Sequence, residues 1–120
     1  MDERTLDDGA LSRLRRIGGT ELVVEMIGLF LENTPQRLDT ARAAYGRGDR
    51  STLHRAVHSI KSTAATLGGR ALETVARTAE AEANEEDLGA VGPLLDVLDR
   101  EYDALREQLE AERDRLEGAG

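Results

Sequence analysis

The sequence has no cysteine and no tryptophan. Without cysteine there is no disulfide framework and no thiolate metal site, which fits a reducing cytoplasm. The aromatic content is one phenylalanine and two tyrosines. A β-sandwich draws more heavily on aromatic and β-branched residues, whereas abundant Leu and Ala suit helices packed by aliphatic side chains. No apolar run comes near the roughly 20 residues of a membrane span, and the acidic amino terminus is unlike a signal peptide. Cations are also short: 16 Lys or Arg against 24 Asp or Glu leave a net charge of −8. That sign opposes nucleic-acid binding, which rests on basic side chains neutralising phosphates. The charge is uneven, however. From Arg37 to Arg70 there are seven Arg or Lys and two His against only Asp39 and Asp49, so this stretch is expected to be locally positive or neutral. The surplus acid lies at Met1–Asp8 and from Glu73 onward.

A chain of 120 residues is one domain's worth, expected to span 1–120 with its core from about 7 to 116. Hydrophobic periodicity predicts five helices and no strands. A short first helix, about 7–17, stops at Gly18-Gly19. Thr20 then caps a long second helix carrying Leu22, Val23, Met26, Ile27, Phe30, Leu31, Leu38, Ala41 and Tyr45. Pro35 lies inside that helix and is expected to kink it without ending it. Gly46 and Gly48 end it, and Asp49 caps a third helix over 50–67. Gly68-Gly69 leads into a fourth, about 70–84. The fifth starts between Leu88 and Pro93 and runs to about Leu116, with a polar end at 110–117 that projects or frays. The expected fold is all-α: an antiparallel up-down four-helix bundle with a short additional amino-terminal helix.

The third helix carries the chemistry. Leu53, Val57, Ile60, Ala64 and Leu67 recur at spacings of four and three and mark its buried stripe. At about 100° per residue, His58 points roughly 140° away from them, toward solvent. Lys61 is one turn on, and Ser62 and Ala65 are too small to cover the ring. A lone surface histidine is usually only decoration. This one stands on a rigid helix beside a cation with open space above it, which suits capture of a phosphoryl group from a large partner. The ring attacks through one nitrogen of its neutral form, a form that an imidazole of ordinary pKa, about 6.5, supplies at neutral pH. Lys61, the only lysine in the chain, is a compact point charge suited to a phosphoryl oxygen. On the fourth helix Glu73 and Glu80 share one edge. If it faces the third helix, Glu80 can accept Nδ1–H of His58 and leave Nε2 free. His54 and His58 have the spacing of a chelating pair. The residues between them lack a zinc-protease glutamate, and no other His or Cys exists, so no metal is expected and His54 reads as a polar rim residue. Neither glycine pair has the signature of a phosphate-binding loop. The chain is therefore not expected to be an enzyme that phosphorylates itself from ATP.

The run His58-Ser59-Ile60-Lys61-Ser62-Thr63-Ala64-Ala65-Thr66-Leu67-Gly68 resembles the histidine-phosphotransfer (HPt) domain family. That family's motif reads His-x-(Ile/Leu)-Lys-(Gly/Ser)-(Ser/Thr/Ala)-Ala-x-x-(hydrophobe)-Gly, and every position is filled by an accepted type. Leu14–Gly19 and Leu29–Pro35 look like its first two helices. Leu72 and Glu80 fall where it has a core leucine and a carboxylate or amide. The resemblance implies a phosphocarrier in a two-component phosphorelay. His58 would take a phosphoryl group through Nε2 from a receiver-domain aspartate and pass it to another receiver, with Lys61 and Glu80 assisting. It implies no intrinsic cofactor, because the receiver brings Mg²⁺. Partners would be receiver domains of response regulators or hybrid kinases, meeting a face that includes His54, Ser62, Ala65 and Gly68. The expected protein is a cytoplasmic monomer. An alternative is an adaptor bundle that binds a receiver or kinase without being phosphorylated, against which the joint presence of His58, Lys61 and Ser62 counts. A carboxylate-rich metal bundle would need paired Glu-x-x-His motifs, which are missing.

Overall fold

In a computed structural model, which describes residues 6–119, four helices follow one another: α1 (Asp8–Gly46), α2 (Arg50–Leu67), α3 (Arg70–Glu82) and α4 (Val91–Ala119), the last preceded by a 3₁₀ turn at Leu88–Ala90. Asp2 and Glu3, part of the expected amino-terminal acid surplus, lie outside the described residues. Helix α1 packs on α2 and α4, and α3 on α2 and α4, so the four close into an antiparallel ring around one core. No strand occurs among the described residues, only an isolated bridge between Leu6 and Gly69.

The two helices expected before residue 46 form one hydrogen-bonded run that is interrupted at a single residue. Gly19 has φ 75° and ψ −174°, a conformation that a Cβ disfavours. The first segment, 8–18, therefore turns away before the long segment, 20–46, sets out. Pro35 does not break the run, since Gly19 is the one residue inside α1 with non-helical dihedrals. A proline has no N–H for the carbonyl four residues back. That carbonyl, Leu31 O, is met instead by the Tyr102 hydroxyl from α4, a long bond of 3.4 Å.

Helix α2 has the expected bounds. Asp49 caps it by accepting from Thr52 N at 3.1 Å, and Gly68 ends it at φ 81°. All five stripe residues are at most 1% exposed. Helix α3 is two residues shorter than expected, with Ala83 as its carboxy-terminal cap and Asn84 already in the turn. Its buried face is Leu72, Ala76, Ala79 and Ala83. Alanines at such a contact let helices approach closely, and this brings the outer edge of α3 within reach of the exposed flank of α2. The end of α4 neither projects nor frays. Leu116 is buried and shares a small cavity with Leu11 and Val23, so the first segment of α1 covers it.

Candidate functional site

The α2–α3 pairing assembles four polar side chains at the surface. The His58 side chain is 55% exposed, and its Nδ1 meets Glu80 Oε2. The second oxygen, Glu80 Oε1, accepts from Lys61 Nζ at 2.5 Å. His54, one turn before His58, has its Nε2 3.8 Å from Glu80 Oε2, and the two imidazoles lie nearly parallel, 10° apart with centroids at 6.3 Å. Only 15% of the Glu80 side chain is exposed.

The electrostatics follow from these contacts. The Lys61 hydrogen bond holds the Glu80 carboxyl below its ordinary range. Burial opposes that effect, and the His58 contact adds to it. An ionised carboxylate only accepts hydrogen bonds. The hydrogen between them is therefore on His58 Nδ1, and in the neutral ring that tautomer leaves the lone pair of Nε2 free.

The structure thus brings together His58, Lys61, Glu80 and His54 among the residues singled out in the sequence. Ser62, one turn beyond His58 on α2, and Ala65, two turns beyond it, are exposed, as their spacing implies. Gly68 is a correction. It is buried, its carbonyl accepts from Asp7 N at 2.6 Å, and a Cβ built on it would sit 2.5 Å from Asp7 O. It is a helix stop covered by the amino-terminal segment, and it cannot be part of a contact face. Lys61 stands beside His58, one turn on, with its ammonium on Glu80. Glu73, on the same edge as Glu80, pairs with Arg77 at 2.8 Å.

Two neighbours escaped the sequence reading. Arg55 and Ser59 line a shallow hollow with His54 and His58. Arg55 is one turn before His58, so the helical spacing that singled out Lys61 also points to it. The local positive charge expected over 37–70 is reduced by the fold. Arg42 pairs with Asp96 and Asp99 of α4, Arg47 with Asp49, and Arg70 with Asp7. Arg50 is turned onto the carbonyls of Glu85 and Glu86. Among the described residues, Arg37 and Arg55 are left with neither a carboxylate nor a carbonyl. Also among those residues, no group of three or more His, Cys, Asp or Glu is arranged to hold a metal ion, and no helix is long and apolar enough to cross a membrane.

Comparison with known proteins gives a consistent result. The family model described as the Hpt domain matches residues 25–108. The structure of histidine-containing phosphotransfer protein B (HptB) from Pseudomonas aeruginosa PAO1 is similar, with a TM-score of 0.87 at 26% identity, over 95% of this chain and 98% of that one. The HPT domain of an Hpt sensor hybrid histidine kinase from Shewanella shares the fold, with a TM-score of 0.78 at 15% identity, over 95% and 97% of the two chains. No curated protein matches.

Proposed function

The chain belongs to the Hpt domain family, and from that premise we propose that His58 is the residue on which it carries a phosphoryl group. Hpt domains are phosphocarriers of phosphorelays, not kinases, and their partners are receiver domains. The observation that supports His58 is its ring, anchored at Nδ1 by Glu80 and open at Nε2.

The step is an in-line displacement. The Nε2 lone pair attacks phosphorus as the bond from phosphorus to the receiver's aspartate oxygen breaks, and the electron pair leaves with that carboxylate. No proton has to move. Nδ1–H stays on Glu80, and the imidazole becomes cationic as its Nε2–P bond forms. The ionised Glu80 beside it stabilises that charge, a contact stronger in the product and transition state than in the resting ring. Lys61 keeps Glu80 ionised and adds a positive field to the phosphoryl oxygens. Phosphohistidine and acyl phosphate both have high transfer potential, so the group can leave to a second receiver by the reverse path.

Mg²⁺ and most of the charge-neutralising groups belong to the receiver in this reading. His54, Ser62 and Ala65 form the rim on which it sits. In this reading the chain is a cytoplasmic monomer whose single exposed helix face suffices for the transfer. Incubating the protein with phosphorylated receivers tests the assignment. Wild type should acquire acid-labile, base-stable label, and His58→Gln should acquire none while its stability changes by no more than about 0.5 kcal/mol. Label on His58→Gln at the wild-type rate would remove His58 from the mechanism.

A further inference from the structure

The two nitrogens of the His58 ring point apart, and only one faces the cation that the family motif supplies. Nδ1 is turned toward α3 and Glu80. Lys61 is on that same side, with its ammonium on Glu80 Oε1 at 2.5 Å. Nε2 therefore faces away from Lys61. Steps of three residues forward and three back along a helix fall roughly 60° to either side of a given position. Lys61 and Arg55 consequently flank His58 on opposite sides. The hollow lined by His54, Arg55, His58 and Ser59 shows that these four side chains border one space beside the ring.

Arg55 is available and Lys61 is not. Among the described residues Arg55 has no carboxylate partner, and its one contact is a 3.4 Å hydrogen bond from Nη2 to Thr52 Oγ1. Leaving that bond costs little, because the guanidinium and the hydroxyl are both exposed enough to be hydrated. For Lys61 to reach a phosphoryl oxygen on Nε2 it must break a short charge-assisted bond and leave Oε1 of a mostly buried carboxylate without its partner, with the His58 ring as the remaining direct contact. A guanidinium also presents paired N–H donors that match two oxygens of a phosphoryl group, which a single ammonium does not.

We propose that Arg55, with the Ser59 hydroxyl beside it, is the phosphoryl-binding cation of this chain, taking the oxygens of the group on His58 Nε2 while Lys61 remains with Glu80. The proposal rests on His58 being the phosphoryl acceptor and adds which side chain holds the group once it is there.

The test is a ³¹P titration of the full chain phosphorylated with phosphoramidate, a small donor that needs no docking surface. A cation near the phosphoryl group favours its dianion and lowers its titration midpoint. Arg55→Gln should move that midpoint up by about 0.5 pH unit or more, and Arg55→Lys should recover part of the shift. Arg100→Gln, an exposed change of equal charge on α4, should leave the midpoint in place. Lys61→Gln should move it less than Arg55→Gln does. Circular dichroism of each variant establishes that the bundle is intact. The proposal is overturned if Arg55→Gln matches Arg100→Gln, or if Lys61→Gln gives the larger shift. If wild type yields no phosphohistidine signal with phosphoramidate or with a phosphorylated receiver, the phosphocarrier reading itself falls, and the role of Arg55 with it.

Discussion

Glu80 serves three neighbours with two oxygens. Oε1 is held by Lys61, while Oε2 faces His58 directly and His54 at 3.8 Å. The arrangement makes Lys61 a positioning residue as well as a charge. Removing it takes away the largest influence that keeps the Glu80 carboxyl low. A carboxyl whose folded pKa is depressed stabilises the fold fully above its unfolded value, and loses that contribution as pH falls through the folded one. For Glu80 the unfolded value is near 4.5, so its bridge to Lys61 and His58 should persist below that pH in wild type. In Lys61→Ala it should dissolve at a higher pH. Carboxyl ¹³C titration of Glu80 measures both midpoints, and identical values would show that Lys61 does not set the charge of Glu80. At neutral pH, Glu80→Ala should convert His58 from one tautomer to a mixture, visible in its ring ¹⁵N shifts, and should slow phosphoryl transfer less than His58→Gln does. A loss as complete as that of His58→Gln would make Glu80 a participant in the chemistry and not an anchor.

Among the elements, the carboxy-terminal end of α2 and the break in α1 depend on glycine for different reasons. Gly19 and Gly68 both have positive φ, but a Cβ at Gly19 would meet nothing within 4 Å. At Gly68 it would meet Asp7 O at 2.5 Å and Ala10 Cβ at 2.9 Å. Gly19→Ala should therefore cost only the backbone term, about 1 kcal/mol. Gly68→Ala adds displacement of the amino-terminal segment and should cost about 2–4 kcal/mol. Thermal unfolding of the two variants gives the order, and equal losses would mean that the packing of Asp7 on Gly68 contributes nothing. Helices α2 and α4 were legible because their apolar stripes keep a regular period, and Gly68-Gly69 marked a stop. The position of the amino-terminal segment was not. It depends on a backbone bond from Asp7 to Gly68 and on the amide of Leu6 donating to Gln108 Oε1, pairings between residues far apart in the chain.

For the whole molecule the governing quantity is charge. The chain is acidic, and its cations over 37–70 are largely neutralised by acids from the amino-terminal segment, α3 and α4 or by their own neighbours. Arg37, half-buried, and Arg55, exposed, keep unneutralised charge on the α1 and α2 side of His58. An acidic partner surface is attracted mainly by those two groups, over a distance limited by the Debye length. Transfer from a phosphorylated receiver should therefore slow with added salt, by about tenfold or less. Phosphorylation by phosphoramidate should change far less. Replacing Arg37 and Arg55 together with Gln should flatten the dependence measured as kcat/KM against ionic strength. An unchanged slope in that double variant would place the encounter on another face.

The sequence by itself determined which segments are helices, which face of each is buried, and that His58 stands on an exposed flank with Lys61 a turn away. Those properties repeat every three or four residues, so they are written locally. Only the tertiary structure decided what these side chains touch. The alanine face of α3 brings Glu80 across to His58 and takes up Lys61, acids from α4 and the amino-terminal segment neutralise arginines that looked free, and Asp7 buries Gly68. Each of these is a contact between helices whose spacing is set by the packed core, and a linear pattern carries no record of that distance.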